Sequence, residues 1–142
     1  MKKIFITATN TNIGKTFTTL KLIESLNQRG VKTIGYKPIE TGVDTKNIES
    51  SDTYKIYQAS KKFCKELELE DIYTYHFSIP ASPYIAKTGE IDISLILQKI
   101  EQLEKKCDVL LIEGAGGLYV PISKDFFIID LIFAIQAHGV LF

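Results

Sequence analysis

A chain of 142 residues, 45% hydrophobic and 24% charged, has the size and apolar content of one globular domain with a real core, and it excludes a disordered or fibrous polypeptide. Seventeen basic residues balance seventeen acidic ones, so neither a nucleic-acid nor an anionic membrane partner is expected from the net charge. The two cysteines, Cys64 and Cys107, show no metal-ligand spacing with His76 or His138 and read as packing residues.

In chain order, residues 3 to 7 read as a strand, 16 to 29 as a helix stopped by Gly30, and Val31 to Tyr36 as a second strand that runs out at Lys37-Pro38. Met1-Lys2-Lys3 precedes an apolar run broken at Thr7 and Asn10, which argues against a secretory signal and for a cytoplasmic location. Residues 38 to 51, with Pro38, Gly42, Asp44, Asn47 and a Ser-Ser pair, predict a long loop. Ser51 or Asp52 then caps a helix over roughly 53 to 62. Tyr73 to Phe77 is strand-like, and Pro80-Ala81-Ser82-Pro83 forbids regular structure beside it. Ile91, Leu95, Ile96, Ile100 and Leu103 mark a helix over 92 to 106. Asp108 to Glu113 reads as a strand buried on both faces, and Gly114-Ala115-Gly116-Gly117 follows directly. Ile128, Leu131, Ile132 and Ile135 form a helical stripe ended by Gly139, and Val140-Leu141-Phe142 looks like the start of a strand. The run at 126 to 135 contains Asp130 and is shorter than the ~18 apolar residues that span a bilayer, so no membrane anchor is expected. A parallel strand without its crossover helix leaves an unpaired edge, which predicts a chain incomplete at its C-terminus.

The alternation predicts an α/β fold with a mainly parallel sheet, and such sheets bind ligands beyond the carboxyl ends of their strands. Three clusters fall there. Ala8-Thr9-Asn10-Thr11-Asn12-Ile13-Gly14-Lys15-Thr16 joins the first strand to the first helix and ends in the Gly-Lys-Thr of a phosphate-binding loop. In such a loop, backbone N–H groups and a helix N-terminus cradle phosphates, the lysine reaches the β/γ-phosphates, and the hydroxyl takes Mg²⁺. The strict pattern places glycine where Thr9 stands. Lys37-Pro38-Ile39-Glu40-Thr41-Gly42 leaves the second strand with Lys37 facing that loop, although a lysine at a strand end is often merely solvated. Glu113 closes a very apolar strand, and a carboxylate there needs a partner, which Mg²⁺ beside a triphosphate supplies.

These segments, together with Pro80-Ala81-Ser82-Pro83 and Glu113-Gly114-Ala115-Gly116-Gly117-Leu118-Tyr119-Val120-Pro121-Ile122, resemble in order and spacing the dethiobiotin synthetases of biotin biosynthesis. The likeness runs over the whole chain. Members usually begin their loop Gly-Thr-Asp-Thr, where this chain has Ala8-Thr9-Asn10-Thr11. They are also longer, by roughly half of this length again. The resemblance implies a single ATP-binding synthetase domain over residues 1–142, of P-loop NTPase-like three-layer fold. The reaction it implies is ATP-dependent ring closure of 7,8-diaminopelargonate with CO₂ or bicarbonate, giving dethiobiotin, ADP and phosphate through a carbamate and its mixed anhydride with phosphate.

It further implies that Lys15 and Lys37 are catalytic and that Thr11 and Thr41 contact the carbamate or diamine. Asn12, Ile13, Gly14, Lys15, Thr16 and Phe17 would line the nucleotide, with Asp52, Glu113, Gly114, Ala115 and Gly116 opposite. Thr16, Asp52 and Glu113 would hold Mg²⁺, and the full-length protein would be a homodimer. Three alternatives stay open: a ParA/MinD-like regulatory ATPase, whose second loop lysine is missing at Asn10; a cobyrinate amidase-type synthetase domain; and an inactive remnant.

Overall fold

The computed structural model describes residues 2–8 and 14–141. Its elements run β1 (Lys2–Ile6), α1 (Lys15–Gln28), β2 (Thr33–Glu40), α2 (Asp52–Lys61), β3 (Tyr73–His76), α3 (Pro83–Ala86), α4 (Ile93–Glu104), β4 (Val109–Glu113), β5 (Pro121–Ser123), β6 (Phe126–Phe127), α5 (Ile128–Ile135) and β7 (Gly139–Leu141). Among them, β3-β2-β4-β1-β7 form a five-stranded sheet with every neighbouring pair parallel, while β5 and β6 make a separate antiparallel pair.

Parallel strands need crossovers, and right-handed crossovers decide the layers. The connections through α1 and α2 step toward the β3 edge and lie on one face. Those through α4 and α5 step the other way and cover the opposite face. The result is the α/β fold with a parallel sheet that the alternation predicts, in the three layers that the resemblance implies. Gly35 of β2 shows how closely one layer descends: a Cβ there would meet Ile56 Cγ2 of α2 at 2.5 Å and Ile23 Cδ1 of α1 at 3.0 Å. Helices covering both faces account for the unbroken apolar run of β4, in which Leu110, Leu111 and Ile112 are buried. Burial of each such side chain contributes roughly 1.5–3 kcal/mol.

Four expectations need correction. β2 does not stop at Tyr36; it continues through Pro38 to Glu40. Pairing with β4 ends at Tyr36↔Ile112, whereas Lys37, Ile39 and Glu40 pair with β3. With Lys37 N–H directed at Ile72 of the β3 side, the proline nitrogen faces the side where the ladder has already ended, so no sheet bond is lost. The long loop accordingly starts at Thr41. The Pro80–Pro83 stretch does not exclude regular structure, because Pro83 sits at the first position of α3, where a missing N–H costs nothing. The stripe on α5 is buried as expected, but the helix ends at Gln136 in the left-handed region (φ 59°), and Gly139 instead opens β7. The β5–β6 hairpin was not anticipated. Elsewhere the sequence reading holds: Ser51 caps α2, its Oγ accepting from Tyr54 N–H at 3.1 Å, and Asp52 is the first helical residue.

Among the described residues no helix is long and apolar enough to cross a membrane. Cys64 and Cys107 are free thiols, and Cys64 lies in the core.

Candidate nucleotide and substrate cleft

Because the sheet strands are parallel, the carboxyl ends of β2, β3 and β4 open on one edge, and the predicted site residues gather there. Glu113, the last residue of β4, is completely buried. Its Oε2 accepts from Lys37 Nζ at 2.6 Å and from the Thr16 hydroxyl at 2.9 Å, and its Oε1 accepts from the Thr19 hydroxyl at 2.8 Å. Thr16 and Thr19 stand in the first turns of α1, so this one carboxylate ties the helix to two strands. Lys37 also donates to the Gly114 carbonyl at 3.3 Å and lies 3.9 Å from Asp52 Oδ2. An ammonium has three N–H groups, and one therefore remains for the cleft.

Lys15 opens α1 and reaches across to the Gly116 carbonyl at 3.1 Å. Gly116 holds φ +85°, and a Cβ there would stand 2.6 Å from Val120 Cγ2, so both the backbone twist and the close approach demand glycine. That twist turns the carbonyl toward Lys15. Gly14 precedes the helix as its cap, also at positive φ. Phe17 points away, 66% exposed with Lys21 Nζ over its ring. Thr11, Asn12 and Ile13 lie outside the described residues.

A cleft of about 490 Å³ runs between these elements, lined by Lys15, Lys37, Glu40, Thr41, Asp52, Ser82, Ala115 and Gly116 among others. Lys15, Lys37, Thr41, Asp52, Ala115 and Gly116 are thus brought together, with Glu113 and Gly114 directly behind Lys37. A second cavity of about 370 Å³ between β3 and α4 is lined by none of them.

The two lysines carry opposite electrostatic signatures. Burial, reinforced by the nearby Lys37 charge, lowers Lys15 to about 8. Burial also opposes the charge on Lys37, but the adjacent Glu113 carboxylate outweighs it and holds this lysine above its ordinary value. For Glu113, burial is likewise overcome, by Lys37 and by the threonine hydroxyls, and the carboxyl is held below its usual range. Asp52 is pushed up by burial, against the pull of Lys37.

Residues 2–142 match the family described as an AAA domain. The chain is 45% identical over 142 residues to the ATP-dependent dethiobiotin synthetase BioD of Sulfurovum sp. (strain NBC37-1), covering 99% of this chain and 68% of that protein. Against the protein of the same name from Wolinella succinogenes it is 42% identical, with 99% and 66% covered. Against that from Aliivibrio fischeri it is 37% identical, with 85% and 54% covered. The chain belongs to the dethiobiotin synthetase family. It spans about two thirds or less of the length of these relatives. Membership agrees with the P-loop NTPase-like fold read from the loop and the parallel sheet.

For a dethiobiotin synthetase the donor set can be tested against Mg²⁺. Two carboxylates, Glu113 and Asp52, flank the Lys37 ammonium, and the Thr16 hydroxyl is bonded to the first of them. All are hard oxygen donors. Among the described residues there is no cluster of three or more His, Cys, Asp or Glu that would cage a metal. Two carboxylates and a hydroxyl are compatible in kind with Mg²⁺, a hard cation that takes few protein oxygens and keeps several waters.

Sequence reasoning missed four members of this site. Thr19, one turn after Thr16, was legible as an i, i+3 neighbour on the same helix face. Glu40 and Thr53 form a buried pair at the cleft wall, with Thr53 Oγ1 2.6 Å from Glu40 Oε1, and nothing local in the sequence signals it. Ser82 Oγ is out of solvent and has no hydrogen-bond partner among the described residues, which is costly unless a ligand supplies one.

Proposed function

We propose that this chain carries out the ATP-dependent closure of 7,8-diaminopelargonate and CO₂ to dethiobiotin, with ADP and phosphate as the other products. The observation that carries this reading is the meeting of Lys15 and Lys37, from α1 and β2, on one cleft beside a fully buried carboxylate. The names of the relatives state dethiobiotin synthesis and ATP dependence.

One amine of the substrate adds to CO₂, losing a proton to give a carbamate. A carbamate oxygen then attacks the γ-phosphorus and ADP departs, leaving a carbamic-phosphoric anhydride. The second amine attacks the carbonyl carbon and phosphate leaves with that oxygen, closing the ureido ring. Negative charge accumulates at the carbamate and on the transferring phosphoryl group, and positioned cations are what a protein contributes to such a transfer.

Lys37 presents its remaining N–H to the carbamate, held by Glu113 and the Gly114 carbonyl. Lys15 has two N–H groups left after Gly116 and takes phosphoryl oxygens. Thr41 and the orphaned Ser82 hydroxyl offer hydrogen bonds to the substrate's polar atoms, and Thr11 is assigned to the same end on the resemblance alone. Asn12, Ile13, Gly14 and Phe17 are assigned to the nucleotide on that basis as well, with Ala115 lining the cleft. Thr16, Asp52 and Glu113 would hold Mg²⁺, which when bound neutralises and orients the triphosphate oxygens. A second copy of the full-length protein would complete the substrate end.

The test is ADP release by the purified protein with diamine, bicarbonate and MgATP, alongside mass-spectrometric detection of dethiobiotin. Release that requires both co-substrates and yields dethiobiotin is expected. Release without diamine favours a regulatory ATPase, and dethiobiotin absent from otherwise active preparations overturns the reading.

A further inference from the structure

Glu40 is a buried carboxylate that the proposed chemistry does not use. Among the described residues it forms no ion pair. Its oxygens are taken up by the first turn of α2. Oε2 accepts from Asp52 N–H at 3.0 Å, and Oε1 accepts from Thr53 N–H at 2.9 Å and from the Thr53 hydroxyl at 2.6 Å.

The start of a helix leaves four backbone N–H groups without helical partners. In α2 all four are accounted for: Ser51 N–H by the Ile48 carbonyl, Asp52 and Thr53 by Glu40, and Tyr54 by the Ser51 hydroxyl. Ser51 is the ordinary local cap. Glu40 is a second cap delivered from another element, and it belongs to the same strand as Lys37. The clamp is buttressed from β3, where His76 Nε2 lies 3.1 Å from Thr53 Oγ1 and its ring stacks on Tyr73. A carboxylate among aligned N–H groups at a helix start is favoured by the helix dipole and by the bonds those groups donate.

The geometric consequence falls on Asp52. Its backbone is fastened to the end of β2, and its side chain comes to rest 3.9 Å from Lys37 at the cleft. The loop that precedes it, from Thr41 to Ser51, is exposed at most positions from Asp44 to Ser50 and does not by itself fix that placement. We propose that Glu40 is a positioning residue, a clamp on the first turn of α2 that sets Asp52 in place to hold the magnesium of the nucleotide. This inference rests on the reading of Asp52 as a metal-holding residue.

Two measurements on Glu40→Ala, Glu40→Gln and Asp52→Ala test it: hydrogen exchange at the Asp52 and Thr53 amides, and the Mg²⁺ concentration required for half-maximal enhancement of ADP binding. Outer groups that orient metal-holding side chains typically change metal affinity by 10–100-fold when removed. Glu40→Ala should therefore raise the Mg²⁺ requirement ~10-fold and expose both amides. Glu40→Gln retains one oxygen acceptor and should fall between wild type and Ala. The double variant with Asp52→Ala should be no worse than Asp52→Ala alone. A merely stabilising cap would lower the unfolding temperature and leave the Mg²⁺ requirement where it was. If Asp52→Ala shifts that requirement and Glu40→Ala does not, the clamp is wrong and the metal reading survives. If Asp52→Ala also leaves it unchanged, both fall. Should Glu40→Ala fail to fold, Glu40→Gln, which keeps one oxygen acceptor, carries the same comparison.

Discussion

On the α1 wall of the cleft, Lys15 is half-buried with a neutral carbonyl as its hydrogen-bond partner, whereas on the β2 wall Lys37 is buried against a carboxylate that is buried too. At the first ammonium burial, reinforced by Lys37, outweighs the Glu113 and Asp52 carboxylates, and its pKa falls to about 8. The second already has its counter-charge and is locked in the charged form. On the proposed reaction, a site that gathers a triphosphate and a carbamate would use both states: one group waits for an anion, and the other keeps a fixed field whether or not substrate is present.

Removing each lysine should separate the two roles. Lys37→Ala should cut dethiobiotin formation ~100-fold or more, the cost of a lost charge-stabilising donor. It should also destabilise the fold by about 3–5 kcal/mol, because Glu113 is left buried and unpaired. Denaturant unfolding measures the second effect, and adding Glu113→Gln should restore much of the stability without restoring turnover. From the sequence alone Lys37→Ala is expected to leave the fold intact; the buried partner revises that.

Lys15→Met should lose a similar ~100-fold in turnover with no loss of stability, since it removes a charge that burial disfavours. An equal stability loss in both variants would erase the distinction between the walls. A smaller effect comes from the carbonyl that Lys15 uses. Gly116→Ala should cost about 2 kcal/mol from left-handed strain and the clash with Val120, while Gly30→Ala, at similar φ but in open space, should cost only about 1 kcal/mol.

The smallest signal is a proton. Lys15 is lowered to about 8, so its charged form is full below that pH in the ligand-free protein and is lost above it. Bound phosphate restores the charge, so ADP binding at pH 8 should take up about half a proton per site and almost none at pH 6. Calorimetry in buffers of different ionisation enthalpy reads this uptake, and Lys15→Met should abolish it. The same shift means that folding stability rises between pH 8 and the ordinary lysine range, because there the unfolded chain binds the extra proton.

Much of this was legible from residue order because the signals are local. Gly14-Lys15-Thr16 after a strand, the stripe of α4 and the double-sided apolar run of β4 each declare themselves within a few residues. Glu113 was legible for the opposite reason, as a charge with no local partner. What stayed hidden depends on distant segments. Pro38 reads as a strand terminator until the neighbouring ladder is known to have ended first. Glu40 reads as part of a long loop, because its partners lie at 52 and 53 and turn toward it only when α2 forms. The Asp52 carboxylate could be named as a site residue from resemblance, but not the strand residue that holds it there.

The order β3-β2-β4-β1-β7 has a consequence for how the molecule comes into being. The first two sheet strands made on the ribosome never touch each other through hydrogen bonds; both lean on β4, with Lys2 and Thr33 each registered to Val109. Until that later segment emerges, β2 can pair with β3, but β1 has no strand to lie against and cannot join them in one sheet. Closing such long chain loops is entropically slow. Nascent chains released before residue 109 should therefore leave β1 and α1 open to proteases, and the keystone strand, once inserted, brings both walls of the cleft into being in a single event.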